Sequence, residues 1–72
     1  MKKLVDLKLG ESCEIVEFSD QHLSLKFVEM GCLPGEKITL EKFAPLGCPL
    51  IFIVGNQKIS MRKSEAEKII VK

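Results

Sequence analysis

Apolar and polar residues alternate along three stretches of the chain, which predicts β-strands over 12–18, 36–43 and 58–62. A fourth stretch, Leu50–Val54, is apolar throughout, which is typical of a central strand buried on both faces. Residues 69–71 are again apolar and β-branched and predict a last strand. Glycine- or proline-containing turns separate several of these stretches. The pattern therefore predicts about five short strands.

One stretch between the first two strands has a helical period instead. Leu23, Phe27 and Met30 recur at i, i+4 and i+7, which places them on one helical face that we expect to pack on the core. Ser19-Asp20 precedes the helix and either side chain can cap its first turn. Gly31 stands where a helix commonly ends with a residue in the left-handed conformation.

A second, shorter helical segment is predicted near the end of the chain. Ser64 and Glu67 have the spacing of a capping box, and strand character resumes soon afterwards, so the helix has about one turn. The prediction is a mainly β fold in one domain over residues 1–72. It is a small, partly open β-barrel of about five strands, with a helical insertion after the first strand and a short helical turn before the last.

Composition and charge narrow the classes of function. The chain has 72 residues, 11 Lys and Arg, 10 Asp and Glu, and a net charge of +1. A nearly neutral domain lacks the basic footprint of a nucleic-acid binder, and its 46% hydrophobic content argues against disorder. No apolar run approaches the ~20 residues of a membrane span, and no export signal is visible. We therefore expect a cytoplasmic protein that does not insert into the membrane.

The residues that could carry chemistry are few. The phosphate-binding GxxxxGK[ST] and zinc-binding HExxH motifs are absent, and no nucleophile–base pair is visible, so an enzyme is not expected. Three cysteines and one histidine (Cys13, His22, Cys32 and Cys48) could in principle bind Zn(II) or Fe(II) as a Cys3His set. Their spacing does not specify such a site, and no CxxC pair is present. The alternative is that these residues bind no cofactor. Cys13 is then a strand residue, His22 a polar residue near a helix start, and Cys32 and Cys48 are surface loop residues.

Three motifs follow one another along the chain. They are MGCLPG at 30–35, PLGCP at 45–49 and ISMRKSEA at 59–66, preceded by the pattern Leu4-x-x-Leu7-x-x-Gly10. In this order and spacing, the chain resembles the FeoA family, small cytosolic proteins of bacterial ferrous iron uptake. Two residues depart from the family pattern: position 48 is often acidic, and position 32 is more often aliphatic or aromatic.

The resemblance implies an SH3-like barrel, in agreement with the pattern of strands. It also implies an accessory or regulatory protein that binds the cytosolic region of FeoB, a membrane iron transporter with a GTPase domain. The candidate contact surface is formed by the helix and the two glycine- and proline-containing loops. Its predicted contact residues are Pro34, Gly35, Leu46, Gly47 and Pro49, with Leu46 exposed to solvent. Arg62 and Lys63 could pair with an acidic partner.

Two other hypotheses stay open at this stage. The same barrel resembles the C-terminal domain of metal-dependent repressors, so the chain could be a detached regulatory module, although no helix-turn-helix precedes it. It could also be a small metal or redox sensor that uses the three cysteines and His22. An exposed edge strand could pair with a second copy, so a homo-oligomer also stays open.

Overall fold

The structure, a computed structural model, describes residues 2–72. Its regular elements are six strands, two α-helices and one turn of 3-10 helix. The strands are β1 (Lys2–Lys3), β2 (Ser12–Phe18), β3 (Lys37–Phe43), β4 (Leu50–Val54), β5 (Gln57–Met61) and β6 (Ile69–Val71). The helices are α1 (Gln21–Glu29) and α2 (Lys63–Ala66), and the 3-10 turn is Leu4–Asp6.

The strands form one antiparallel sheet in the order β1-β6-β2-β3-β4-β5. The predicted mainly β fold is confirmed, with α1 inserted after the first long strand and α2 before the last. The sheet has six strands rather than about five, because the N-terminal residues Lys2 and Lys3 pair with Val71 and Ile70 of β6. The sheet is open between its two edge strands, β1 and β5.

Two irregularities bend the sheet around its core. The register of β2 against β6 shifts between Ile15 and Glu17, and the register of β3 against β4 shifts between Leu40 and Lys42. Bulges of this kind bend a strand and increase its twist. Because β2 pairs with β3 through its first half and with β6 through its second half, the bend folds the two parts of the sheet onto one core.

The buried side chains form one cluster that draws on every strand except β1, on both helices and on the 3-10 turn. Its largest fully buried members are Phe27, Phe52, Leu4, Ile15, Ile38, Met61 and Ile69. Strand β4 is central and alternates buried and half-buried residues, which explains why its sequence is apolar throughout.

Helix α1 begins and ends as predicted. The Asp20 carboxylate accepts hydrogen bonds from the amides of His22 and Leu23, at 2.9 and 3.4 Å. Phe27 is fully buried and stacks on Phe18, while Leu23 and Met30 pack more loosely against the core. No helix among residues 2–72 is long and apolar enough to cross a membrane.

The predicted start of α2 is wrong by two residues. The helix spans Lys63–Ala66, and the amide of Arg62 donates to the Glu65 carboxylate at 2.9 Å, so Arg62 and Glu65 occupy the positions predicted for Ser64 and Glu67. The physical reason is the short connection: β5 ends at Met61 and β6 begins at Ile69, so the single turn must begin immediately after β5.

Candidate functional site

The loop between β3 and β4, residues 44–49, presents the most exposed large apolar side chain of the described chain. Leu46 is 97% exposed, as the sequence predicted. The loop is held by its own backbone, because the Gly47 amide donates to the Ala44 carbonyl at 2.7 Å and the Ala44 amide donates to the Pro49 carbonyl at 3.2 Å. We call residues 44–49 the Leu46 loop.

The second predicted contact loop, Leu33–Gly35, lies elsewhere. It is closed by a hydrogen bond of 3.1 Å from the Glu36 amide to the Leu33 carbonyl, and Pro34 and Gly35 are exposed. This loop precedes β3 and the Leu46 loop follows it, so about 20 Å of strand separates them, at about 3.3 Å per residue. The structure therefore divides the predicted surface into two surfaces at opposite ends of β3.

An apolar cleft lies beside the Leu46 loop. Its volume is about 210 Å³. Its walls come from the 3-10 turn and the residue after it, from the end of β3 and from the start of β4; they are Leu4, Val5, Leu7, Leu40, Phe43 and Leu50. Phe43 is 51% exposed at the rim, although it is a large apolar side chain. Apolar surface at this end of the sheet is thus available for contact.

Gly47 and Lys63 close one side of the cleft. Gly47 has a φ of +92°, and a Cβ at that position would lie 2.9 Å from the Lys63 Nζ atom. Any other residue would therefore be strained and would also displace the ammonium group. Glycine at this position lets Lys63 lie against the Leu46 loop, where it places a positive charge at the edge of the cleft.

The Leu46 loop also lines a larger groove, which is open to solvent and has both polar and apolar walls. Its volume is about 670 Å³. Cys48 and Pro49 form one wall, and the end of β5 and the start of α2 form the other, with Ser60, Met61, Arg62, Lys63, Ser64 and Glu65. Lys63 is therefore shared by the apolar cleft and this larger groove.

The charges around this loop are unbalanced. Lys42, Arg62 and Lys63 are exposed, and none of them forms an ion pair with any residue of the described chain. One carboxylate, that of Glu65, lines the larger groove beside Arg62 and Lys63, and it is engaged by Lys26 at 2.7 Å. That hydrogen bond, with the one from the Arg62 amide, lowers the pKa of the Glu65 carboxyl. Three exposed cations against one engaged carboxylate leave this surface with an excess of positive charge.

The four candidate metal-binding residues are dispersed. Cys13 is buried on β2, His22 is exposed near the start of α1, and Cys48 is exposed on the Leu46 loop. The expectation that Cys32 is a surface loop residue is wrong, because its side chain is fully buried in the core. Among residues 2–72, no three or more His, Cys, Asp or Glu side chains lie together in a way that could hold a metal ion.

The surroundings of Cys32 also determine its chemistry. Burial raises the pKa of its thiol to about 11, and the negative charge of Glu36 adds to the effect. The reactive form of a cysteine is the thiolate, so this side chain is chemically inert at neutral pH. It occupies an apolar position of the core, where it packs as a small hydrophobic residue.

Sequence reasoning missed the apolar cleft and the residues that form it. Leu4 and Leu7 contribute to the family resemblance through the pattern Leu4-x-x-Leu7-x-x-Gly10, but that pattern predicts no cleft, and no prediction was made for Val5. Phe43 alone carried a signal, because it ends the alternating strand with a large apolar residue on the face that otherwise carries polar side chains.

Comparison with known proteins finds a matching family and solved structures with a similar fold. The FeoA domain family matches residues 2–72. The iron(II) transport protein A of Clostridium thermocellum is 39% identical, with a TM-score of 0.90, over 99% of this chain and 44% of that one. The chain therefore spans less than half the length of that relative.

Two further structures are similar. The FeoA protein of Stenotrophomonas maltophilia is 27% identical, with a TM-score of 0.85, over 100% of this chain and 91% of that one. It was solved in complex with zinc and is described as a procaryotic SH3 domain protein, suggested to be a ferrous iron transport activating factor. A manganese-dependent transcriptional repressor is 12% identical, with a TM-score of 0.85, over 97% of this chain and 40% of that one, and shows a shared fold alone.

A comparison with curated proteins gives no match. The family match nevertheless covers every residue that the structure describes. The three sequence motifs lie in the loop after α1, in the Leu46 loop, and over β5 and α2. The chain belongs to the FeoA family.

Proposed function

We propose that this protein is an accessory subunit of bacterial ferrous iron uptake that acts in the cytoplasm by binding the cytosolic, GTPase-containing region of FeoB. It contributes a binding surface to the transporter and catalyses no reaction itself. The observation that carries the proposal is the FeoA domain match over residues 2–72. The solved relatives support it, because their descriptions refer to iron(II) transport and to activation of ferrous iron transport.

The shape of the molecule supports a binding function. The apolar cleft is smaller than the pockets of about 300–1,000 Å³ that hold small molecules, and the larger groove of about 670 Å³ is an open surface depression, not an enclosed pocket. Exposed apolar side chains beside charged groups are typical of protein contact surfaces. Leu46 makes no contribution to the core, because it is 97% exposed. A side chain of this kind is available to a partner without any change in the fold.

The test is direct binding. The purified cytosolic domain of FeoB from the same organism is immobilised in its GDP-bound, GTP-analogue-bound and nucleotide-free states, and the protein is passed over each. We expect saturable binding in at least one nucleotide state. The absence of binding in all three states would overturn the proposal.

The two alternative functions have less support. The likeness to a metal-dependent repressor is confined to the fold, at 12% identity. The zinc complex of the Stenotrophomonas maltophilia protein is the observation that favours a metal sensor. In this chain such a sensor would have to use Cys13, His22, Cys32 and Cys48, and two of these cysteines are buried in the core.

A further inference from the structure

We infer that the apolar cleft and the Leu46 loop together bind an apolar side chain of a protein partner, with partner carboxylates placed next to it on Lys63 and Arg62. This inference rests on the proposed function, since it names the surface and the chemistry through which the partner is held. Two features of the same end of the sheet carry it: the shape formed by an exposed leucine beside a cleft of side-chain size, and exposed cations that form no ion pair among residues 2–72.

The first feature is the shape of the surface. Leu46 projects from a loop whose backbone hydrogen bonds hold it in place, and the cleft opens beside it with Phe43 half-exposed at its rim. The cleft volume of about 210 Å³ suits one large apolar side chain and is small for a cofactor. Interfaces commonly obtain most of their binding energy from a few buried anchors of this kind, surrounded by less important contacts.

The second feature is the charge. Lys63 borders both the apolar cleft and the larger groove, and Arg62 lines that groove next to it. Neither residue has an ion-pair partner among residues 2–72. The two serine hydroxyls of the groove, Ser60 and Ser64, offer further hydrogen-bond donors to carboxylate oxygens. A partner that complements this surface therefore has an apolar side chain for the cleft and acidic residues next to it in its sequence.

The charge also decides between partners. A second copy of this chain is the obvious alternative, because Leu46 of one copy could enter the cleft of the other. In a twofold dimer, the same patch meets itself, so the cations Lys42, Arg62 and Lys63 would face their own copies. Like charges brought together at an interface weaken association, so the surface disfavours self-association and suits a negatively charged partner.

The test is a matched set of substitutions in the full chain, with the cytosolic domain of FeoB as the probe. Leu46→Ser removes the exposed apolar side chain, and Lys63→Glu reverses the charge beside the cleft. The controls make the same chemical changes on the other predicted contact surface, so that the comparison decides between the two: Leu25→Ser on α1, where Leu25 is 67% exposed, and Lys37→Glu beside the Leu33–Gly35 loop at the opposite end of β3. All four positions are exposed, so melting temperatures are expected to stay close to that of the wild type.

We expect Leu46→Ser and Lys63→Glu each to weaken binding about tenfold or more, and the controls less than about twofold. The wild-type affinity should fall as NaCl is raised from 50 to 300 mM, and this dependence should be reduced in Lys63→Glu. Wild-type affinity in both cleft variants would overturn this inference and leave the proposed function standing. Lack of binding by the wild type would overturn both. A wild-type dimer that Leu46→Ser converts to a monomer, with binding to FeoB unchanged, would show that the patch joins two copies instead.

Discussion

At the scale of single residues, two glycines are fixed by their surroundings. Gly31 ends α1 with a φ of +87°, as the sequence predicted, and a Cβ there would lie 3.3 Å from the Gln57 Oε1 atom. Gly47 supports the edge of the apolar cleft in a similar way. In both cases the residue is needed for its backbone conformation and for the space that it leaves to a polar side chain.

Replacement of Gly31 tests this requirement. We predict that Gly31→Val lowers the free energy of unfolding by about 2 kcal/mol, because a β-branched residue is strained at positive φ. Gly31→Asn should cost about half as much, since asparagine tolerates the left-handed region. In a domain of this size the difference between the two variants amounts to several degrees in melting temperature, which circular dichroism can measure. Equal stability of the valine variant and the wild type would show that residue 31 has a negative φ.

At the scale of elements, the strength of the local pattern decided what could be predicted. The bounds of β4 follow from a continuous apolar run, and those of α1 from a cap, an apolar stripe and a terminal glycine. Strand β1 has no such signal, because Lys2 and Lys3 are in a strand only through their pairing with β6. The predicted start of α2 is wrong because the spacing of Ser64 and Glu67 favours a later start, whereas the short connection from β5 to β6 requires the turn to begin at Lys63.

Glu65 holds α2 in place through two hydrogen bonds. Its carboxylate accepts from the Arg62 amide within the first turn and from Lys26 of α1, at 2.9 and 2.7 Å. We predict that Glu65→Ala lowers the free energy of unfolding by about 1–2 kcal/mol at pH 7, because the cap and the ion pair are lost together. Glu65→Gln should cost less, since its amide oxygen can still accept from the Arg62 amide.

The pH dependence of these variants follows from the pKa of Glu65. The folded state lowers this pKa from its usual 4.5, so the unfolded state binds more protons in the acidic range. The stabilisation is therefore present above pH 4.5 and is lost as the pH falls through the lower folded pKa. Melting curves from pH 7 to pH 3 should show the wild type and Glu65→Gln converging. A difference that stays constant over this range would contradict the ionic contribution.

At the scale of the whole molecule, the candidate site was the least predictable part. The sequence indicated Leu46, Gly47 and Pro49 through a local loop pattern. The cleft beside them is lined by residues 4–7, by the end of β3, by the start of β4 and by Lys63. These segments are far apart in the sequence and come together only in the folded protein. Local patterns contain no information on such contacts. For the same reason, the sequence suggested one contact surface where the structure has two.

The rates at which the cysteines react report on the stability of the whole fold. Cys32 is fully buried and becomes accessible only when the core opens, Cys13 is 8% exposed in a shallow surface pocket, and Cys48 is exposed on the Leu46 loop. We predict that a thiol reagent at pH 8 labels Cys48 fastest, Cys13 more slowly, and Cys32 at least about 10³-fold more slowly than Cys48. That factor corresponds to a stability of about 4 kcal/mol, the lower end for a domain of this length. Cys48→Ser should leave no fast-reacting thiol.

The same experiment tests the metal sensor. Since the two core cysteines, His22 and Cys48 lie apart, one equivalent of Zn(II) or Fe(II) should leave the labelling rate of Cys48 unchanged. A bound metal would hold the Cys48 sulfur as a thiolate ligand and would slow its labelling in proportion to occupancy. Stoichiometric protection of Cys48, abolished by His22→Ala, would require the core to rearrange around a metal. It would favour a sensor over an accessory protein that acts through its surface alone.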